Sequence, residues 1–311
     1  LEIKGDSDHT KLIDMLTDLN DYSIGIEDVL KEHFDEENIV YWMAFQILMG
    51  NVDTQNRNVY LYSPLNSDIW YFIAWDNDGC LMRSEYELKN FSDQGSWEKG
   101  ISNYWGNVLF QRCLKSRSFR EKLNDAILEL REYLNKDMLI SKIESYKNVL
   151  KPYLYSMPDA EYEPLTSEQY DQIAASLPDE IEKNYKLYLE SLETPMPFYI
   201  GVPTIDGNKL KFNWDVSYDL DAEDITYSVE VARDYLFQDV IYHNTTLTVP
   251  ETEMDLPEAG QYFVRIRATN TSGKTQDAFD YYVTDEGKHY GMKCFYITED
   301  STVEEDNYEE G

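Results

Sequence analysis

The sequence is short of cysteine, of positive charge and of long apolar runs, and each shortage narrows the function. Its 311 residues hold three cysteines, Cys80, Cys113 and Cys294, odd in number and far apart. They make neither a zinc-ligand spacing nor a disulfide framework, and they leave the redox compartment undecided. Lysine and arginine total 27 against 60 aspartates and glutamates, for a formal charge of −33. With no basic stripe to neutralise phosphates, nucleic acid and anionic membrane are disfavoured as partners. Basic proteins suit that charge, although it equally suits a protein that is simply well solvated. No signal-peptide pattern or apolar run of membrane-spanning length is visible, so no membrane insertion of this chain is expected. The four histidines, His9, His33, His243 and His289, lie in unrelated contexts and read as surface or structural residues. No Ser–His or Cys–His catalytic arrangement is apparent, and no internal repeat of solenoid length.

Apolar residues are nevertheless 42% of the chain, enough for the cores of two ordinary domains. The first part reads as helical. Over Thr10–Asn20, Leu12, Ile13, Leu16 and Leu19 share a face, and over residues 24–34 so do Ile26, Val29, Leu30 and Phe34. Asp35-Glu36-Glu37 suits the positive N-terminal end of a helix over residues 38–49, which is apolar nearly all round and belongs at a domain centre.

That helix leads into GNVDTQNRNVYLYSPLNSDIWYFIAWDND, residues 50–78. Asp53 and Asn58 stand five apart, ahead of a strand over residues 59–62, a turn rich in Ser, Pro, Asn and Asp, and a second strand over residues 69–74. The second strand ends in Trp75-Asp76-Asn77-Asp78, so a hairpin would bring Asp53, Asn58 and Asp76 together. Phosphoryl transfer asks for this set: Mg²⁺ held by one carboxylate and one amide oxygen, and a carboxylate to orient the attacking hydroxyl. Asp76 and Asn58 suit the first task and Asp53 the second. Aspartate and asparagine are also ordinary turn residues, and many hairpins are flanked by them for that reason alone. Asp76-Asn77-Asp78-Gly79 opens like a calcium loop, but Glu85 and Glu87 are poorly placed to close one. Residues 91–97 read as an exposed loop near this site.

The run from Tyr41 to Asp53, then Asn58-Val59-Tyr60-Leu61-Tyr62, then Trp70 to Asp78, resembles the CotH (spore coat protein H) kinase family. That family's pattern is a helix ending in Gly-Asn-x-Asp, an Asn-x-Tyr-Leu-Tyr strand and a Trp-Asp-x-Asp finish. The likeness extends weakly from about residue 10 to about residue 192. It implies a mainly helical protein-kinase-like large lobe with Asp53 as catalytic aspartate, Asn58 as its companion and Asp76 as metal aspartate. Asp78 would stand beside it or on a second metal. It further implies Mg²⁺ and ATP as cofactors, Ser or Thr hydroxyls of a partner protein as acceptors, and a bacterial extracellular or cell-envelope location. A small lobe bearing a lysine and a loop over the phosphates would precede this part, and nothing before Thr10 supplies it. The chain by itself is therefore expected to turn over little.

Further helices are expected from residue 104 to residue 154, with Arg112, Arg117 and Arg120 read as solvated helix faces rather than a phosphate clamp. One of them, over residues 137–151, should end or kink at Pro152. Thr166 and Gln169 fit a capping box, and a helix over residues 179–192 precedes Pro195 and Pro197, which mark a boundary. Beyond it, apolar residues alternate at residues 209–214, 225–231 and 262–268, the pattern of a β-sandwich. The run from Leu256 to Ala268, with Asn270 and Gly273, resembles a fibronectin type III module over roughly residues 197–284. By that resemblance Trp214 is a core tryptophan and Tyr262 a tyrosine corner bonded back to the preceding turn. Residues 292–298 suit one more strand, and residues 299–311, strongly acidic, read as a disordered tail or linker.

The expected architecture is α+β: a kinase-like large lobe with a β-hairpin site over residues 1–194, a fibronectin type III-like sandwich over 195–285, and a possible strand with an acidic tail over 286–311. Fold does not fix function, and a second reading treats both parts as the scaffold of a surface binding or assembly protein.

Overall fold

The structure, a computed structural model, describes residues 8–55, 57–83 and 94–306. Glu85, Glu87 and residues 91–93, which entered the calcium and loop readings, lie outside the described residues. Helices and antiparallel sheets together make the chain α+β. It divides into two compact units, Leu1–Phe91 with Tyr104–Tyr188, and Ser92–Asn103 with Leu189–Gly311.

The first unit contains α1 (Thr10–Asn20), α2 (Ile26–His33), α3 (Glu36–Met49), a hairpin of β1 (Tyr60–Tyr62) and β2 (Tyr71–Ile73), α4 (Val108–Lys115), α5 (Arg117–Tyr133), α6 (Lys136–Leu154) and α7 (Ser167–Ser176). A last helix, α8 (Glu180–Glu193), begins in it. As its apolar circumference demands, α3 is central: Ile39, Met43, Ala44 and Leu48 are wholly buried. The Asp35 side chain caps it by accepting from the Asn38 N–H, and Gly50 ends it in the left-handed region at φ 65°. Trp42 lies against Phe72 and Phe110, ring centroids 4.7 and 5.6 Å away, and Tyr104 meets Phe110 edge-on. Burying side chains of this size contributes about 1.5–3 kcal/mol each.

The hairpin is held to this core along both edges of β2. One edge pairs with β1, Tyr60 opposite Ile73 and Tyr62 opposite Tyr71. On the other edge the Trp70 N–H donates to the His33 carbonyl (2.7 Å) and the Asp35 N–H to the Trp70 carbonyl (3.1 Å). The Asn38 side chain then imitates a neighbouring strand, accepting from the Phe72 N–H at 2.6 Å and donating to its carbonyl at 3.1 Å. Lys11 ties down the hairpin's turn by donating to the carbonyls of Pro64 (2.7 Å) and Ser67.

Two arginines correct the sequence reading. Arg112 is buried and donates to the carbonyls of Leu19 and Ile24, with longer bonds to those of Asp18 and Asp21. Arg120 donates to the Leu114 (2.6 Å) and Lys115 (3.1 Å) carbonyls. A helix leaves its last four carbonyls without partners, and the forked guanidinium, with five donors, serves several of them at once. Arg117 does lie in solvent, paired with Glu121. His33 is buried, Nε2 2.8 Å from the Asp18 carboxylate, a structural contact. Pro152 does not end α6, which continues to Leu154. Only the last turn follows it, so the bond lost to the missing N–H is a single one close to the terminus.

In the second unit, β3 (Thr204–Asp206), β4 (Lys209–Asn213) and β7 (Glu251–Asp255) form one sheet in the order β3–β4–β7. The other runs β13–β12–β8–β5–β6, from β5 (Ile225–Ala232), β6 (Val240–Leu247), β8 (Gly260–Asn270), β12 (Met292–Ile297) and β13 (Val303–Glu305), with β9 (Thr275–Asp277) added on β8. A separate hairpin joins β10 (Tyr281–Thr284) to β11 (Gly287–Tyr290). Side chains of both sheets share one core, in which Phe212 meets Phe295 (5.9 Å) and Trp214 meets Tyr227 (5.3 Å). The Tyr262 hydroxyl donates to the Glu258 carbonyl at 2.8 Å, the backward bond expected of it. Trp97 departs from the exposed-loop reading. It is buried, its ring edge-on to Phe279 (5.0 Å) and Tyr290 (6.1 Å), because an indole gains more from aromatic neighbours than from water. Nor is the acidic end uniformly without structure: Val303–Glu305 pairs with Phe295–Ile297, placing valine opposite isoleucine. Among the described residues no helix is long and apolar enough to cross a membrane.

Removing the Arg112 guanidinium leaves buried carbonyls without donors, so Arg112→Ala should cost about 3 kcal/mol in urea denaturation. Tyr262→Phe loses a single neutral hydrogen bond and should cost about 1 kcal/mol by the same measurement.

Candidate functional site

The site is built outward from the C-terminus of α3. Gly50 is required there twice over. Its φ of +65° disfavours side chains, and a Cβ would fall 2.6–2.9 Å from the Asn184 side-chain amide. Asn184 occupies that space because its Nδ2 donates to the Leu48 carbonyl (2.9 Å) while its Oδ1 accepts from Arg83 Nε (2.6 Å). The chain then turns through a short 3₁₀ segment, Asp53–Gln55. The Asp53 N–H donates to Asn51 Oδ1 (3.2 Å), and buried Thr54 lies with its hydroxyl 3.0 Å from that of Tyr104. Anchored on both sides, the turn leaves the Asp53 carboxylate in solvent.

The second acidic segment returns to the same place from the far end of the hairpin. Gly79 passes so close that a Cβ there would lie 3.1 Å from Asn51 Oδ1 and 3.2 Å from Asp53 Oδ2. Asp76 and Asp78 are exposed. The charge of Asp78 raises the Asp76 carboxyl above its usual range, with smaller contributions from desolvation, a hydrogen bond with Asp78 and the charge of Asp53. Asp53, Asp76 and Asp78 are thus one electrostatic group. Among the described residues the structure gives no such interaction for Asn58, which it places at the foot of β1 just before the paired strands. Asn58 (φ 53°) and Asp76 (φ 49°) both occupy the left-handed region, which asparagine and aspartate tolerate best among residues with side chains.

Three residues escaped the sequence reading. Gln46 Nε2 and Asn51 Nδ2 both donate to Asn77 Oδ1, at 3.1 and 3.3 Å. A glutamine within the apolar run of α3 was the available signal, since a polar group in a buried helix needs a partner. Burial, then the charge of Asp78, pushes the Cys80 thiol up to about 12, which favours the protonated form.

A cation at these aspartates would have to take most of its ligands from water or substrate. Among the described residues no three His, Cys, Asp or Glu side chains are grouped to hold an ion by themselves. Mg²⁺ needs less, being held by one or two carboxylates with water and substrate phosphates. The mutual repulsion of Asp76 and Asp78 is the electrostatic condition a cation relieves. Beside them the rings of Tyr60 and Trp75, both about half exposed, lie with centroids 4.8 Å apart.

A family model described as CotH kinase protein matches residues 1–188. No curated protein matches the chain. Among solved structures, that of the surface layer protein SbsC, domains 1-6, aligns at 12% identity over 98% of this chain, which spans 40% of that one. Its TM-score is 0.17, too low to support an argument.

Gly50→Ala should destabilise the first unit by about 2–3 kcal/mol, combining the left-handed backbone with the Asn184 overlap. In Asn184→Ala the overlap is gone, and the same glycine change should then cost about 1 kcal/mol, read as a double-mutant cycle in urea.

Proposed function

The chain belongs to the CotH kinase protein family, and from that premise we propose that it is part of an atypical protein kinase that transfers phosphate from Mg·ATP to a Ser or Thr hydroxyl of a partner protein. The observation that supports this most is the approach of Asp76 and Asp78 to Asp53 at the end of one hairpin. In this reading Asp76 and Asn58 hold Mg²⁺, with Asp78 beside them. The ion, when bound, neutralises charge on the phosphates. Asp53 accepts a hydrogen bond from the acceptor hydroxyl and takes its proton as that oxygen bonds to the γ-phosphorus and the bond from the γ-phosphorus to the bridging oxygen breaks, ADP leaving with that oxygen. Its turn, fixed through Asn51 and Thr54, keeps the carboxylate from swinging away from the approaching oxygen. The Tyr60–Trp75 pair, its rings tilted 43° to each other, offers exposed aromatic surface against which a nucleotide base can lie.

The second unit we read as a fibronectin type III-like module. The order β3–β4–β7 facing β8–β5–β6, with β12 of the last segment added beside β8, and the Tyr262 bond to Glu258 support this. The proposed division is residues 1–194, 195–285 and 286–311, and the proposed location is extracellular or on a bacterial cell envelope, in keeping with a spore-coat family. A second reading, an assembly protein that uses these parts as scaffold, is favoured by α6. None of its residues is buried, and Tyr146, Val149, Leu150 and Tyr153 form an exposed apolar row, a surface of the kind protein partners cover.

The test is transfer of labelled γ-phosphate from Mg·ATP to protein acceptors, assayed with the full-length protein. Asp53→Ala and Asp76→Ala should each lower it by at least about 100-fold with the unfolding midpoint unchanged. Full transfer by both variants would end the catalytic assignment and leave the assembly reading.

A further inference from the structure

We infer that Gln46, Asn51 and Asn77 form a buried amide clamp whose task is to hold the Asp76–Asp78 segment against Asp53. The segment carrying Asp76 and Asp78 returns so close to Asp53 that a Cβ on Gly79 would lie 3.2 Å from its Oδ2, and like-charged carboxylates held on neighbouring segments need something to oppose their separation. A lysine or arginine among them would do so at the cost of neutralising the group. Neutral amides oppose it and leave the negative charge intact.

Gln46 has no exposed surface and Asn51 almost none. An amide so placed must spend its hydrogen bonds inside the protein. Gln46 Oε1 accepts from Asn51 Nδ2 at 3.0 Å, and the Gln46 Nε2 and Asn51 Nδ2 donors converge on Asn77 Oδ1. Asn77 lies between the two aspartates, so fixing its side chain fixes both. The remaining acceptor of Asn51, Oδ1, takes the Asp53 N–H. Asn51 therefore touches both acidic segments, and Gln46 roots the arrangement in the most deeply buried helix. Two backbone bonds complete it: the Cys80 N–H donates to the Asn77 carbonyl (3.2 Å) and the Leu81 N–H to the Met49 carbonyl (2.8 Å). These are positioning residues. The purpose assigned to them rests on the phosphoryl-transfer reading; the clamp itself is testable without it.

The test uses the full chain and two readouts, hydrogen exchange at the Cys80 and Leu81 amides and Mn²⁺ affinity by electron paramagnetic resonance. Gln46→Met removes the amide at similar length, and Asn77→Ala removes the shared acceptor from a half-buried position, so one variant remains if the other fails to fold. Asn107→Ala, which deletes the cap bonded to the Leu109 and Phe110 amides, controls for lost stability alone. Both clamp variants should speed exchange at Cys80 and Leu81 by about tenfold over the control and weaken Mn²⁺ binding by about tenfold or more. Unchanged exchange in the clamp variants would overturn the clamp, and so would unchanged Mn²⁺ affinity. Faster exchange in a protein whose wild type binds no Mn²⁺ would keep the clamp and overturn the cation reading instead.

Discussion

The first unit depends on the burial of α3. A helix apolar on every side has no face to offer water, so its neighbours must enclose it. Trp42 gathers Phe72 from the hairpin and Phe110 from α4 around one aromatic cluster. Because Phe72 belongs to β2, the contact that buries the helix also fixes the hairpin. Each end of the hairpin carries acidic residues, and the same packing therefore sets where those charges lie.

Polar groups embedded in that apolar frame give it direction. Asn38 binds the free edge of β2 as a strand would, Gln46 reaches Asn77, and Asn184 receives the last turn of the helix. In each case a side-chain amide does what backbone pairing does elsewhere, because an amide supplies both a donor and an acceptor without charge. The chain's excess of acid makes this economy useful. Arg112, buried, is turned to backbone carbonyls, and the aspartates of the hairpin stay exposed.

Much of this was legible in the sequence. The 3.6-residue period marked α1 and α2, a run apolar nearly all round marked α3, the apolar segments at residues 59–62 and 69–74 marked β1 and β2, and the change of period after Pro197 marked strands of the second unit. The hairpin itself was legible, and with it the return of Asp76 towards Asp53, whereas Asn58 stands at the foot of β1 without a described interaction with either. What was not legible depended on partners distant in sequence. Arg112 looks like any helix-surface arginine until the end of α1 is brought to it. Gln46 reads as a blemish in an apolar run until Asn77 arrives 31 residues later. The strands β6 and β7, rich in Thr, Glu and His, have exposed positions along most of their length, so the apolar alternation that betrays a strand is weak in them. Val303–Glu305 looks like acidic tail until β12 offers it an edge.

The central claim is that packing around α3 assembles a carboxylate group able to receive a metal–nucleotide complex. Isothermal titration of the chain with Mg·ATP, beside Asp76→Ala, tests it directly. Saturable binding by the wild type that requires Mg²⁺, and its loss in a variant of unchanged unfolding midpoint, is the result this account predicts. Equal binding by both proteins, or no binding by a fully folded wild type, would contradict it.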